Sequence, residues 1–288
     1  MRKFWLIIFC ALIMLLFMAL FCGFLFSCDD ESESQRESEE IPPFCEVSIL
    51  KIGKADCIII NTGSKILMID TGEAKNLADI HSFMREREWD KIDTLILTHP
   101  DKDHIGGASE IISHYGIKTV IEGAYAPLTE EYVLYHATLE EMGIEPIILN
   151  GAYSFKLDGC EIEIDAPRKQ KYASKQSNNS SLVVSLTCGE RRFLFCGDAM
   201  ELRLGELIEA EIGAYDFVKL PYHGNYLENY REFLDMVRCQ YGAITCSGKN
   251  PASPDTLALL DEYGIEVFQT RHGTIRLSCD GAKITIEN

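Results

Sequence analysis

Two imidazoles and two carboxylates fall within six residues in Leu97-Thr98-His99-Pro100-Asp101-Lys102-Asp103-His104-Ile105-Gly106-Gly107. Donors of these types, in a loop behind an apolar run, can converge on one or two cations, because imidazole nitrogen and carboxylate oxygen both suit Zn²⁺ and Mn²⁺. Gly106-Gly107 lets the backbone turn close to such a site. A solvated polar loop is the plain alternative, but two further segments supply matching donors. Asp198 follows the apolar run 192–196, and His223 follows the run 216–220 in Lys219-Leu220-Pro221-Tyr222-His223-Gly224. Taken singly each is weak, since an Asp behind a strand is often a helix N-cap and a lone His is more often a surface residue. Taken together, all three segments sit at the C-terminal end of a strand, where functional loops gather.

The elements that must carry these loops are legible as periodicity. Short β runs at 47–52, 57–61 and 65–69 are separated by Gly53-Lys54 and Thr62-Gly63-Ser64, which is turn chemistry. A helix is expected over 75–88, with Leu77, Ile80, Phe83 and Met84 on one face. Strands at 93–98 and 117–121 alternate with helices at 108–115 and 129–142, the latter closed by Gly143. The second half repeats the pattern. Strands are expected at 153–157, 160–164, 182–187, 192–196, 216–220 and 242–246, with helices at 201–212, 228–237 and 254–263, and the chain finishes on 267–269, 274–278 and 283–286. Apolar strands bounded by amphipathic helices imply two packed sheets with helices outside.

The chain of 288 residues has 27 Lys+Arg against 45 Asp+Glu, a formal charge of −18, and 47% hydrophobic residues. That composition excludes disorder throughout and a collagen-like or coiled-coil chain. The acidic balance argues against a protein that coats nucleic acid with positive charge. Residues 4–26 carry no charge and follow Arg2-Lys3, which is long enough to cross a hydrocarbon core of about 30 Å and places the rest of the chain outside the cytoplasm. Two readings stand: a retained signal anchor, or a lipoprotein signal with Cys28 of Leu25-Phe26-Ser27-Cys28 as lipid acceptor. The expected organisation is therefore a transmembrane or lipoprotein signal helix at 1–28, an acidic disordered linker at 29–43, and one domain at 44–288 at the outer face of the cell membrane.

Of the 11 cysteines, eight belong to this domain, and no CxxC pair occurs, so a thiolate zinc knuckle is not expected. Most sit in apolar runs and read as small buried hydrophobes, although an exported location allows disulfides. His81, His114, His136 and His272 are expected at the surface, and Lys175, Lys219 and Lys249 as solvated lysines that could meet an anionic substrate. No P-loop or GxGxxG precedes a helix, so no nucleotide cofactor is indicated.

Thr-His-x-Asp-x-Asp-His-x-Gly-Gly, then Gly-Asp, then Pro-x-His-Gly, with Asp70-Thr71-Gly72 ahead of them, resembles the metallo-β-lactamase fold superfamily. Within it, the chain is most similar to the hydrolase domain of ComEC/Rec2 competence proteins. The turn Ile52-Gly53-Lys54-Ala55-Asp56, Asp101 within the histidine motif, and the strand entry Asn178-Asn179-Ser180-Ser181-Leu182-Val183 carry that likeness. The resemblance implies an α/β (α+β) four-layer αββα sandwich and two divalent metal ions, Zn or Mn. His99 and Asp101 would hold the first, Asp103, His104 and His223 the second, and Asp198 would bridge both. Water activated between the ions would be the nucleophile, with Asp103 orienting it. Asn179, Ser181, Ser247 and Asn250 would line a substrate cleft. The chain departs from the pattern by lacking a third histidine near 178–181, and by Tyr222 and Ser253 where the branch has histidine, so the first metal subsite is expected to be the weaker. The function expected is an exported, membrane-tethered hydrolase of phosphodiester bonds in a small molecule or nucleic acid. The alternatives are a hydrolase of a small ester, lactone or β-lactam, or a non-catalytic surface binding domain with a degenerate metal site.

Overall fold

A computed structural model describes residues 43–288. The expected signal helix and all but the last residue of the acidic linker lie outside the described residues. Among the described residues, no helix is long and apolar enough to cross a membrane.

In chain order the elements are β1 (Cys45–Ile49), β2 (Ile58–Asn61), β3 (Ile66–Ile69), α1 (Leu77–Glu86), β4 (Thr94–Leu97), α2 (Lys102–Ile105), α3 (Ala108–His114), β5 (Thr119–Gly123), α4 (Glu130–Met142), β6 (Ile147–Leu149), β7 (Tyr153–Leu157), β8 (Cys160–Asp165), α5 (Gln176–Asn179), β9 (Val183–Cys188), β10 (Arg191–Phe195), α6 (Glu201–Glu209), β11 (Phe217–Lys219), α7 (Tyr230–Val237), β12 (Tyr241–Ile244), α8 (Pro254–Glu262), β13 (Glu266–Gln269), β14 (Ile275–Cys279) and β15 (Ile284–Glu287). Single 3₁₀ turns at Ala74–Asn76 and Pro221–Gly224 complete them.

The strands form an eight-stranded sheet, β15-β14-β1-β2-β3-β4-β5-β6, and a seven-stranded sheet, β13-β12-β11-β10-β9-β8-β7. Their facing sides share one apolar core, with Val47, Ile60, Ile69 and Ile96 from the first and Ile162, Val184, Phe193 and Phe217 from the second. The outer face of the first sheet packs on α1, α3 and α4 through Ile80, Met84, Ile111, Ile112 and Leu139. The outer face of the second packs on α6, α7 and α8 through Leu204, Leu207, Phe233, Leu234 and Leu260. Two helical layers thus enclose two sheets, the αββα sandwich expected.

Burial explains the strand sequences. β3 and β4 are covered on both faces and read as unbroken apolar runs, Ile-Leu-Met-Ile and Thr-Leu-Ile-Leu. β8 is covered on one face only, so Cys160, Ile162 and Ile164 alternate with outward Glu161 and Glu163. α4 ends at Gly143, whose φ of 67° gives the left-handed cap that stops it.

The topology also decides where loops meet. β3, β4, β5 and β6 run parallel, as do β10, β11, β12 and β13. The loops leaving the C-terminal ends of β3, β4, β10, β11 and β12 therefore crowd one edge of the sandwich. Periodicity did not find β6, α2 or α5, because three or four residues are too few to show a period. The helix expected to 212 stops at Glu209, because Glu211 and Gly213 both take positive φ.

Candidate metal centre

His99 follows β4, and α2 carries Asp103 and His104 on the next turn of chain. The backbone that holds them is stitched to two other loops. Thr71 N–H donates to the His104 carbonyl at 2.7 Å, Gly107 N–H to the Gly72 carbonyl at 3.1 Å, and Asp56 N–H to the Asp103 carbonyl at 3.1 Å. The approach is so close that a Cβ on Gly107 would lie 2.6 Å from the Thr71 carbonyl, and one on Gly106 would lie 2.9 Å from Glu73 Cα. Those two positions accept glycine alone without a shift of backbone.

Each of three histidines is fixed through Nδ1. His104 Nδ1 donates to Asp70 Oδ2 at 2.7 Å. Asp70 also accepts the Thr98 N–H at 2.8 Å and the Thr98 hydroxyl at 2.7 Å. That hydroxyl proton is thereby committed, so His99 Nδ1 donates to Thr98 Oγ1 at 3.1 Å. His223 Nδ1 donates to the Thr245 carbonyl at 3.1 Å. The Nε2 atoms of all three are buried and without a hydrogen-bond partner, as is Asp198 Oδ1. They face one another. His104 Nε2 lies 3.4 Å from Asp198 Oδ1, and His223 Nε2 lies 3.2 Å from Asp198 Oδ2 and 3.4 Å from Asp103 Oδ2. His99 Nε2 lies 3.6 Å from Asp101 Oδ2. Donor atoms of His99, His104 and Asp198 fall within 4.8 Å of one another, and so do those of Asp103, His104 and His223.

Orphaned buried nitrogens beside orphaned carboxylate oxygens are costly unless a cation satisfies them. The Nδ1–carbonyl and Nδ1–carboxylate bonds behind them are the arrangement that fixes metal-ligating imidazoles. The residues therefore fit divalent cations. The carboxylates nearest solvent are Asp101, 37% exposed, and Asp103, 27% exposed, against 3% for Asp198.

Electrostatics follow from the crowding. Burial alone would strip charge from His104, but the Asp198 and Asp70 carboxylates outweigh it and raise its pKa well above the usual value. Burial likewise opposes charge on Asp198, and His223 and His104 hold it well below the carboxylate range.

The backbone is strained here. Asp70, Tyr222 and His223 take positive φ, at 58°, 48° and 51°. Non-glycine residues in that region persist only where surrounding structure over-determines them, commonly at functional sites.

All six residues expected as ligands are thus brought together. Asn178, standing where a third histidine was absent, points its amide at Asp101 Oδ2 (3.5 Å) and Asp198 Oδ2 (3.4 Å). Of the four residues expected to line a substrate cleft, Asn179 and Ser181 need correction, while Ser247 is half-buried and Asn250 exposed. Asn179 and Ser181 are buried. Asn179 accepts the Arg203 N–H and donates to the Ser174 carbonyl. Ser181 accepts the Asp198 N–H at 3.2 Å and donates to the Asn178 carbonyl at 2.7 Å. Their polar atoms are spent inside the protein, holding the loops that carry Asp198 and Asn178. Ser247 and Asn250 close a turn on each other behind Thr245.

Lys219 was expected in solvent and is wholly buried. It ion-pairs with Asp56 and donates to the Gly197 carbonyl at 3.1 Å. Asp56 also lies 3.6 Å from His223 Nδ1. His114 and His272 are exposed, whereas His81 and His136 are half-buried. His81 meets the Tyr115 hydroxyl at 2.7 Å, and His136 meets Glu122 Oε1 at 3.1 Å. Asp56, Lys219 and Thr245 are the supporting residues whose roles sequence reasoning missed. Asp56 and Asp70 stood in recognisable motifs, but nothing local to Lys219 or Thr245 announces a partner far along the chain.

An open cleft of about 570 Å³, lined by Tyr125, Asn150, Arg168, Lys169, Lys171 and Ser180, shares Tyr125 and Ser180 with the small pocket that His99 lines. Lys169 and Lys171 are exposed there. A cationic wall on a chain of charge −18 was not expected from composition.

Residues 51–248 match the family profile of the Metallo-beta-lactamase superfamily. ComE operon protein 3 of Bacillus subtilis (strain 168) is 27% identical over 258 residues, 80% of this chain and 32% of that protein. Recombination protein 2 of Haemophilus influenzae is 24% identical over 213 residues, 73% of this chain and 25% of that protein. The chain thus spans about a third and a quarter of the lengths of these relatives. Among solved structures, CmlA, a diiron beta-hydroxylase from Streptomyces venezuelae, shares the fold with a TM-score of 0.52 and 15% identity, over 81% of this chain and 54% of that one.

Proposed function

The chain belongs to the metallo-beta-lactamase superfamily, and from that premise we propose that it is a metal-dependent hydrolase of phosphodiester bonds, tethered to the membrane by its N-terminal segment with the domain outside the cytoplasm. The observation that carries the hydrolase reading is the convergence of three orphaned imidazole Nε2 atoms, those of His104 and His223 on Asp198 and Asp103 and that of His99 on Asp101. His104, His223, Asp103 and Asp198 would hold one cation, and His99, Asp101 and Asp198 a second. When bound, such cations supply Lewis acidity and lower the pKa of water.

The chain's own residues do the rest. Asp70, Thr98 and Thr245 lock the three imidazole tautomers with Nε2 facing inward. Asp103, partly exposed beside His223, is placed to orient the attacking water. The Asn178 amide, aimed between Asp101 and Asp198, offers a donor to a substrate oxygen. Lys169 and Lys171 in the adjoining cleft favour an anionic substrate over a neutral ester or lactone. The likeness to ComE operon protein 3 and Recombination protein 2 agrees with the ComEC/Rec2 resemblance from which the phosphodiester expectation comes. The unequal donor sets support a tighter subsite at His104 and His223 than at His99 and Asp101.

The test is metal analysis of the full-length protein together with a panel of a bis-aryl phosphodiester, single-stranded DNA, an aryl ester, a lactone and a β-lactam, each with Mn²⁺ and with Zn²⁺. Turnover of the phosphodiesters above the other substrates is expected. Turnover of the ester, lactone or β-lactam alone overturns the substrate assignment. A metal content that His104→Ala/His223→Ala leaves unchanged, together with no turnover of any substrate, overturns the hydrolase reading in favour of a binding domain.

A further inference from the structure

A second set of metal-binding side chains lies at the other edge of the sandwich. Cys45 sits directly opposite Cys279 in the β1–β14 pair, and Cys160 directly opposite Cys188 in the β8–β9 pair. The first pair belongs to one sheet and the second to the other, and all four residues belong to the core between the sheets. All four are 0–1% exposed, and all are free thiols. The register fixes their position. Cys45 neighbours the β2 terminus Asn61, which faces the start of β3, whereas the His–Asp centre grows from the end of β3. Cys188 faces Arg191 at the start of β10, whereas Asp198 follows its end.

Three of the sulfurs form one group, and the fourth, Cys160, stands beside it with its thiol donating to the Phe44 carbonyl at 3.4 Å. One sulfur each from Cys45, Cys188 and Cys279 lies within 4.8 Å of the other two. The Cys160 thiol neighbours both Cys45 and Cys188. The two sheets meet here, since the Cys279 thiol donates to the Cys188 carbonyl at 3.8 Å. Two disulfides would draw four sulfurs into two pairs, and simple packing would not require sulfur to meet sulfur. With metal–sulfur bonds of about 2.3 Å, the sulfurs of a tetrahedral site stand about 3.8 Å apart, which Cys45, Cys188 and Cys279 approach as they stand and Cys160 would reach by giving up its bond to the Phe44 carbonyl. The Gly281 N–H donates to Cys279 Sγ at 3.3 Å, the kind of bond that stabilises thiolate charge.

We propose that Cys45, Cys160, Cys188 and Cys279 form a tetrathiolate site for a single soft divalent cation of the zinc class, clamping the two sheets at the edge opposite the His–Asp centre. Binding replaces S–H bonds with metal–sulfur bonds and releases the protons to solvent, with no change of oxidation state. The absence of a CxxC motif does not count against it, because the four ligands come from four strands.

Cobalt(II) is the probe, titrated into reduced, full-length, metal-free protein. The His–Asp centre holds no sulfur, so thiolate-to-cobalt charge-transfer absorption reports the cysteine site alone. The band is expected at one equivalent in the wild type and in Cys239→Ser, and to fall to background in Cys160→Ser and in Cys188→Ser. Should those variants fail to fold, native mass spectrometry of zinc-loaded His99→Ala/His104→Ala/Asp198→Ala/His223→Ala protein, in which both His–Asp subsites are dismantled, decides: one retained zinc supports the site, and none overturns it. No charge-transfer band in the wild type, a band that survives in folded Cys188→Ser, or Cys45–Cys279 and Cys160–Cys188 disulfides in the purified protein would each overturn the proposal.

Discussion

At the scale of the residue, the centre depends on what stands behind each ligand. Asp70 accepts three hydrogen bonds and holds the His104 tautomer. Asp70→Asn preserves shape and tolerates the left-handed backbone, but it replaces a charged acceptor. Loss of such a supporting group costs about 10–100-fold in metal affinity, and isothermal titration with Mn²⁺ or Zn²⁺ reads it. Asp198→Ala and His104→Ala are expected to abolish turnover while circular dichroism shows the fold retained; turnover retained in both refutes the ligand assignment. Lys219→Met leaves Asp56 as an uncompensated buried charge and is expected to cost about 3–5 kcal/mol in urea unfolding. Glu122 gives a pH signature. Burial raises its pKa above 4.5, with His136 only partly opposing. The folded state then holds its proton at pH values where the unfolded state has lost it, so stability is full below 4.5 and falls as pH rises towards the folded pKa. Glu122→Gln is expected to flatten that fall, which denaturant midpoints measured across the range check.

At the scale of the element, the parallel strands bring loops from both halves to one edge, and close backbone contact does the fine positioning. Gly107→Ala pushes a Cβ against the Thr71 carbonyl at 2.6 Å. A loss of about 1–3 kcal/mol is expected, with weaker metal binding alongside, since the same contact carries His104. The histidine loop was legible because ligation concentrates unusual residue types behind an apolar strand, within a few positions. Asp198 and His223 were legible by the same strand-end logic. The pair Asp56–Lys219 was not, because a buried lysine and a solvated one look alike until the fold supplies the carboxylate. Nor were the four facing cysteines, since their meeting depends on the pairing registers of β1 with β14 and β8 with β9. Asn179 and Ser181 matched a motif by type, yet their side chains serve the loop rather than the cleft.

At the scale of the whole molecule, charge is unevenly used. A formal charge of −18 repels polyanions at a distance, while Arg168, Lys169 and Lys171 form a local cationic wall along the cleft that adjoins the His99 pocket. Lys169→Glu/Lys171→Glu is expected to raise KM for a DNA substrate several-fold and to reduce the salt dependence of kcat/KM, leaving kcat on a small aryl phosphodiester unchanged. Equal effects on both substrates would mean that the wall does not contact the longer anion.

The pairing of β1 with β14 carries a consequence for biosynthesis. β1 is an interior strand of its sheet, yet one of its two neighbours is encoded about 230 residues downstream. As the chain leaves the ribosome, β2 and β3 can pair at once, but the other flank of β1 keeps its amides and carbonyls bare until β14 emerges. A long-lived open flank of Val and Ile invites pairing with a neighbouring nascent chain. The eight-stranded sheet therefore closes late on that flank, by arrival of the β14–β15 hairpin.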